Sequence, residues 1–345
     1  MKRTLCVILA AALILFAFAA CGEKTPTEEP GTTAAADAEV TTAEAVSETK
    51  DPEAVNVTVL KGPTGMGMAY LMSQNEAGAS ANKYNFTIET APDVVSSQLI
   101  SGEADIAAIP SNAAAALWNK TGGKIKIVAS NTYNVLRVLT NDDGISDFDD
   151  LRGRTVYCSG EGTTVQYFIE KIFAEKGLKV GEDVTIEYAA EHSETVTLAK
   201  QGKADTVILP EPFATQLLMG EESYRQAFDL NAAIEELGLP IVMGVYAVRT
   251  EFAEKYPEKV RAFVEQDAKQ SHEMLLNDTD AVAQLIEQYD IMKAAVAKAS
   301  VPNCAIVYKY GDEMTERLDA LFKMLYEVNP QSVGGNVPDE TVYFK

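Results

Sequence analysis

Histidine is nearly absent from this chain of 345 residues: only His192 and His272 occur, and neither has a partner at ligand spacing. Without companion His, Cys or acidic residues so placed, a metal centre or a Ser-His-Asp reaction has no visible basis. A G-x-S-x-G elbow, an H-E-x-x-H helix and a Cys–His nucleophile signature are missing as well, so no catalytic set emerges and no cofactor is expected. Basic residues are also scarce. The chain has 29 Lys and Arg against 51 Asp and Glu, for a net charge of −22. That sign argues against nucleic acid as a partner and against electrostatic adhesion to anionic lipid. Of the four cysteines, only Cys158 and Cys304 fall in the part composed like a folded domain. Outside the cytoplasm such thiols can pair; the other reading is two small buried thiols.

Long apolar runs are missing apart from one. Lys2 and Arg3 precede an uncharged stretch, residues 7–20, that ends in Phe18-Ala19-Ala20-Cys21. The stretch has the length of a signal-peptide core and falls short of the roughly 20 residues of a membrane-spanning helix. Small residues before a cysteine resemble the lipobox of bacterial lipoproteins, although Phe18 stands where Leu is usual. The expectation is a signal peptide over residues 1–20 and a lipid on Cys21 that holds the protein on the outer face of the membrane. An ordinary secreted protein cleaved near Ala20 is the alternative. Residues 21–54 are rich in Thr, Ala, Glu and Pro with almost no large apolar side chain, which predicts a disordered tether.

The remaining residues carry an internal repeat. Gly102-Glu103-Ala104-Asp105-Ile106-Ala107-Ala108-Ile109-Pro110 returns as Gly202-Lys203-Ala204-Asp205-Thr206-Val207-Ile208-Leu209-Pro210. In both copies Gly ends a helix, Asp opens a short buried strand, and Pro breaks it before the next helix. Upstream, residues 57–61 and 154–158 read as strands leading into glycine turns, and residues 85–89 and 184–188 as further strands. Alternation of this kind predicts an α/β fold of two lobes, each a mainly parallel sheet flanked by helices, with a ligand cleft between them. Residues 55–140 with about 245–345 form lobe one, and about 141–244 form lobe two. Crossings are expected at residues 135–140 and 240–249, and helical spacing continues from 257 to 277. The acidic run 141–150 fails the calcium-loop template and reads as a connecting loop.

Ligands of parallel α/β sheets sit beyond the carboxyl ends of the strands. Four such ends lead into helices, whose open amides then face the cleft: Thr64, Gly65 and Met66; Ser111 and Asn112; Glu161, Thr163 and Thr164; Glu211 and Phe213. Thr, Ser and Asn at these places also serve as ordinary helix caps. The two glutamates favour a ligand carrying donor groups over a plain oxyanion. Met66, Tyr133, Phe213 and Met243 are candidates for apolar walls, and Trp118 reads as packing.

These motifs resemble the substrate-binding proteins of ABC importers, in the nitrate/sulfonate/taurine group that also includes thiamine-pyrimidine binders. The carriers are both Gly-x-Ala-Asp strands, Asp150-Leu151-Arg152-Gly153-Arg154-Thr155-Val156, Pro210-Glu211-Pro212 and the ending Val333-Gly334-Gly335-Asn336-Val337-Pro338-Asp339. The resemblance implies a periplasmic-binding-protein-like fold of type II that closes on a small-molecule solute, sulfonate-like or pyrimidine-like. It also implies a monomer that docks on an ABC permease/ATPase complex. A sensing lipoprotein and a pyrimidine-synthesising enzyme on the same fold are the other classes.

Overall fold

Alternating valines start the first sheet. β1 (Val55–Leu60) buries Val55, Val57 and Val59 and is followed by α1 (Pro63–Glu76) and β2 (Tyr84–Glu89), which returns parallel to β1. The computed structural model describes residues 52–345; the expected signal peptide, the lipidation at Cys21 and most of the expected tether lie outside the described residues. α2 (Pro92–Ser101) ends on Gly102, whose φ of 87° is left-handed, a backbone that costs glycine nothing and other residues strain. β3 (Ile106–Pro110) then lies beside β1, and α3 (Ser111–Thr121) and β4 (Ile125–Thr132) follow.

The chain next enters a second sheet. Its elements are β5 (Leu136–Thr140), β6 (Thr155–Ser159), α4 (Thr164–Glu175), β7 (Thr185–Ala189), α5 (His192–Lys200), β8 (Thr206–Pro210), α6 (Phe213–Gly220), β9 (Arg225–Phe228) and α7 (Leu230–Glu236). It returns through β10 (Gly244–Arg249), and β11 (Ile306–Lys309) completes the first sheet. The sheet orders are β11-β4-β10-β3-β1-β2 and β7-β6-β8-β5-β9. Without the edge strand β11, the two share one plan, since β2-β1-β3-β10-β4 corresponds to β7-β6-β8-β5-β9. The fold is a two-lobed α/β structure.

Three details differ from the sequence reading. The sheets are mixed rather than mainly parallel, because the strand that crosses from the other lobe enters each sheet in the opposite direction. β10 is antiparallel to β3 and β4, and β5 is antiparallel to β8 and β9. β5 belongs to the second sheet, so residues 136–140 pair outside the lobe to which they were assigned. The helix expected over 257–277 is interrupted by a π-helical segment, Phe263–Asp267. That segment carries Asp267, which accepts bonds from the amides of Ala81 and Asn82 and from the Tyr84 hydroxyl.

The two copies of the repeat use their aspartates differently. Asp105 is buried; its carboxylate accepts from Asn56 N at 2.9 Å and Asn56 Nδ2 at 3.0 Å, and pairs with Arg249 Nη2 at 2.7 Å. It thereby ties the first strand of the lobe to its returning strand. The Asp205 side chain is exposed, and only its backbone carbonyl is used, by Asn141 N and Thr140 Oγ1. Apolar packing runs continuously from one lobe to the other, joining Ile109, Ala115 and Leu321 to Phe168 and Ile172. Among the described residues no helix is long and apolar enough to cross a membrane.

Candidate functional site

The carboxyl ends of β3, β4, β6 and β8 meet where the chain passes between the sheets. Pro110 ends β3 and starts α3 at once, so Ser111 and Asn112 stand on its first turn. The turn after β6 needs positive φ at Gly160 and Gly162, and it delivers Thr163 and Thr164 to the start of α4. The two helix starts touch. Thr164 Oγ1 donates to Asn112 Oδ1 at 2.8 Å, and Asn112 Nδ2 donates to the Gly162 carbonyl at 3.1 Å. Ser111 Oγ lies 3.2 Å from Thr164 Oγ1 and donates to the Val242 carbonyl on the second crossing at 2.5 Å. Each lobe thus holds the other through short polar side chains that are almost wholly buried.

The amides expected to stand open at these helix starts are largely used by the chain itself. Gly162 N donates to Gln166 Oε1, Val165 N to Thr163 Oγ1, and Thr215 N to Glu211 Oε2. Thr163 is therefore the cap of α4. Thr64 bonds back to Leu60, a local role at the start of α1. Gly65 packs so closely that an added Cβ would stand 2.7 Å from the Leu60 carbonyl oxygen. Met66 is wholly buried in the core of the first lobe, so it is packing rather than a ligand wall. Met243 is buried on the second crossing, where its carbonyl accepts from Ser111 N. Glu161 is exposed on its turn.

Glu211 is 2 % exposed and stands 3.3 Å from Arg137 Nε on β5. Burial raises its pKa, and its bonds to Thr215 and the charge of Arg137 work the other way. Phe213 packs its ring on His192, with centroids 5.2 Å apart. His192 Nδ1 shares a short hydrogen bond with Ser159 Oγ at the end of β6. Desolvation pushes the His192 pKa down to about 4, although part of the residue stays exposed. This Ser–His contact escaped the sequence reading because its members are 33 residues apart and belong to no local motif. Equally unforeseen is the end of β4. Ser130 Oγ, both side-chain atoms of Asn131, Thr132 Oγ1 and Asn134 Nδ2 are buried without a hydrogen-bond partner. A strand end that turns from Val128 and Ala129 to four polar residues within six was the available signal.

Cys158 and Cys304 are separate buried thiols, each pushed up to about 12 chiefly by burial. Among the described residues no group of three or more His, Cys, Asp or Glu could hold a metal ion.

A family model described as menaquinone biosynthesis matches residues 66–327, well over half of the chain. The chain belongs to the menaquinone-biosynthesis family. No curated protein matches it. This family member is similar in structure to an ABC transporter protein from Parabacteroides distasonis, with 22% identity and a TM-score of 0.70 over 85% of this chain and 99% of the other. It is also similar to the periplasmic aliphatic sulphonate binding protein SsuA from Escherichia coli, with 16% identity and a TM-score of 0.68 over 86% and 93% of the two chains. The periplasmic nitrate-binding protein NrtA from Synechocystis PCC 6803 shares 11% identity, with a TM-score of 0.57 over 76% and 74%. These are the sulfonate and nitrate binders that the sequence motifs resemble, and at such identities the likeness is one of fold.

Proposed function

We propose that the chain is the extracytoplasmic solute-binding component of an ABC importer. It takes a small polar organic solute, sulfonate-like or pyrimidine-like, between its lobes and hands it unchanged to a permease. The observation that carries this reading is the meeting of α3 and α4 across the cleft through Ser111, Asn112 and Thr164. Contacts between lobes that consist of short side chains are easily exchanged for contacts to a ligand. Residues 133–135 and 237–243 serve as the two hinge segments between the lobes. A lipid on Cys21 keeps the monomeric trap beside the membrane, since each buried methylene contributes about 0.8 kcal/mol.

An enzymatic reading has specific support in the menaquinone-biosynthesis family match and in the Ser159–His192 contact beside the cleft. One experiment separates the two. The purified protein is melted with taurine, alkanesulfonates, aminopyrimidines and nitrate, and any ligand that shifts the melt is recovered and weighed by mass spectrometry. A ligand at 100 times its dissociation constant is expected to add about 2.7 kcal/mol and to return at unchanged mass. Loss or gain of mass on incubation would favour the enzyme. If no compound shifts the melt and none co-purifies, solute capture is refuted.

A further inference from the structure

Buried polar atoms almost always have partners, because an unpaired one forfeits its hydration for nothing. The segment 130–134 breaks that rule repeatedly. Ser130, Asn131 and Thr132 are 0 %, 1 % and 4 % exposed. Their side-chain oxygens and the Asn131 and Asn134 amide nitrogens have no hydrogen-bond partner. Asn134 spends only its oxygen locally, accepting from Leu136 N at 3.1 Å. Asn131 is wedged over Gly244, where an added Cβ would lie 2.5 Å from its Oδ1. The place is the foot of the cleft, where both crossings leave the first sheet: Met243 N donates to the Thr132 carbonyl and Tyr133 N to that of Ala305. A hinge motion at residues 133–135 and 237–243 is what would uncover it.

The chemistry of the strip is specific. Every orphaned atom is uncharged, and Asn131 offers a free donor and a free acceptor side by side. The buried Glu211, whose N–H donates to the Val135 carbonyl just beyond the strip, is already paired with Arg137 and bonded to Thr215 N. The starts of α4 and α6 are capped by Thr163, Gln166 and Glu211. At α3 the Ser111 and Asn112 amides are taken by the Met243 carbonyl and Thr164 Oγ1, which leaves α1 as the one of the four starts without such a partner. Tyr133 supplies a flat apolar surface next to the strip, held from one side by the Arg317 guanidinium 4.2 Å from its ring centre.

We propose that Ser130, Asn131, Thr132 and Asn134 form the ligand-reading strip of the cleft, and that it takes an uncharged edge with a donor beside an acceptor, as in a carboxamide or a lactam. This rests on the solute-binding reading and narrows it away from sulfonates and nitrate. The Asn131 side chain pairs with such an edge in two parallel hydrogen bonds, and the three neighbouring groups close around it.

The test compares uracil and nicotinamide with taurine and nitrate, by calorimetry on the wild type and on Asn131→Leu. The neutral amides are expected to bind and the ions not to bind, with affinity for the amides at least tenfold weaker in N131L. N131L is also expected to melt higher than the wild type without ligand, since it removes two unpaired buried atoms at similar volume. A purely structural Asn131 would give a lower melt. Binding of taurine or nitrate but of neither amide overturns the strip's assignment and leaves solute capture standing. Amide binding that N131L does not weaken also overturns it. If none of the four binds and the protein carries no co-purified solute, both readings fall.

Discussion

Arg137→Met removes one member of the buried pair at the end of β8 and leaves Glu211 almost without solvent. The two side chains are 18 % and 2 % exposed, with Nε and Oε1 3.3 Å apart. Breaking a buried pair by deleting one partner costs about 3–5 kcal/mol, because the remaining charge loses its compensation. Thr215 N still donates to Glu211 Oε2 at 3.0 Å, which places the loss near the lower end, about 3 kcal/mol. At roughly 2–4 °C per kcal/mol for a protein of about this size, the melting temperature falls by about 6–12 °C. The pH dependence follows from the direction of the Glu211 shift. Burial raises its folded-state pKa and Arg137 lowers it, so the variant has a pKa higher still. A carboxyl that binds its proton more readily when folded is penalised while ionised, and the penalty fades as pH falls through its folded-state pKa. The gap between variant and wild type therefore narrows over the range from neutral pH down through that pKa. Adding Glu211→Gln to R137M recovers most of the loss. Calorimetric melts of the three proteins across that range are the assay. A variant that melts with the wild type at the higher pH, or a gap that widens on acidification, refutes the reasoning.

Asp105→Asn and Asp205→Asn, identical changes in the two copies of one motif, diverge in urea titrations. The first costs about 3 kcal/mol because Arg249 loses its buried charge partner and keeps only the exposed Glu251, whereas the second stays within about 0.5 kcal/mol. Gly67→Ala puts a Cβ 2.5 Å from His272 Nε2. The overpacking cost of about 1–3 kcal/mol outweighs the roughly 0.5–1 kcal/mol that Ala gains over Gly in a helix, so the melt drops. Cys158 and Cys304, with thiols held up at about 12, resist alkylation in the native protein and react after denaturation. Peptide mapping by mass spectrometry reads both states.

The repeat was legible because it is written in local chemistry: a left-handed glycine at 102 and 202, a buried run, then proline. Those signals set α2–β3–α3 and α5–β8–α6 with ends within a few residues. Strand direction was not legible, since it depends on which strand returns from the other lobe. β9 (RQAF) and β11 (IVYK) escaped because four residues offer no period to read. The meeting of Ser111, Asn112 and Thr164 was foreshadowed because all three follow strand ends. The burial of Met66 in the core was not legible because apolar side chains look the same in a core and in a pocket wall. Arg137, Ser159 with His192, and the orphaned end of β4 went unseen because their meaning lies in partners, or missing partners, across the fold.

The position of β10 bears on how the protein is made. It sits between β3 and β4, so these strands cannot join the first sheet together until residues 244–249 exist. All strands of the second sheet lie between residues 136 and 228. The lobe read out later at its start is therefore complete earlier on a growing chain, and the N-terminal lobe waits with an open edge along β3. A chain halted after residue 240 is expected to protect the second sheet from protease and to expose β1–β4. Equal protection of both would mean that the first sheet closes without its central strand. Any factor that shields β3 during synthesis has its task done once Arg249 reaches Asp105.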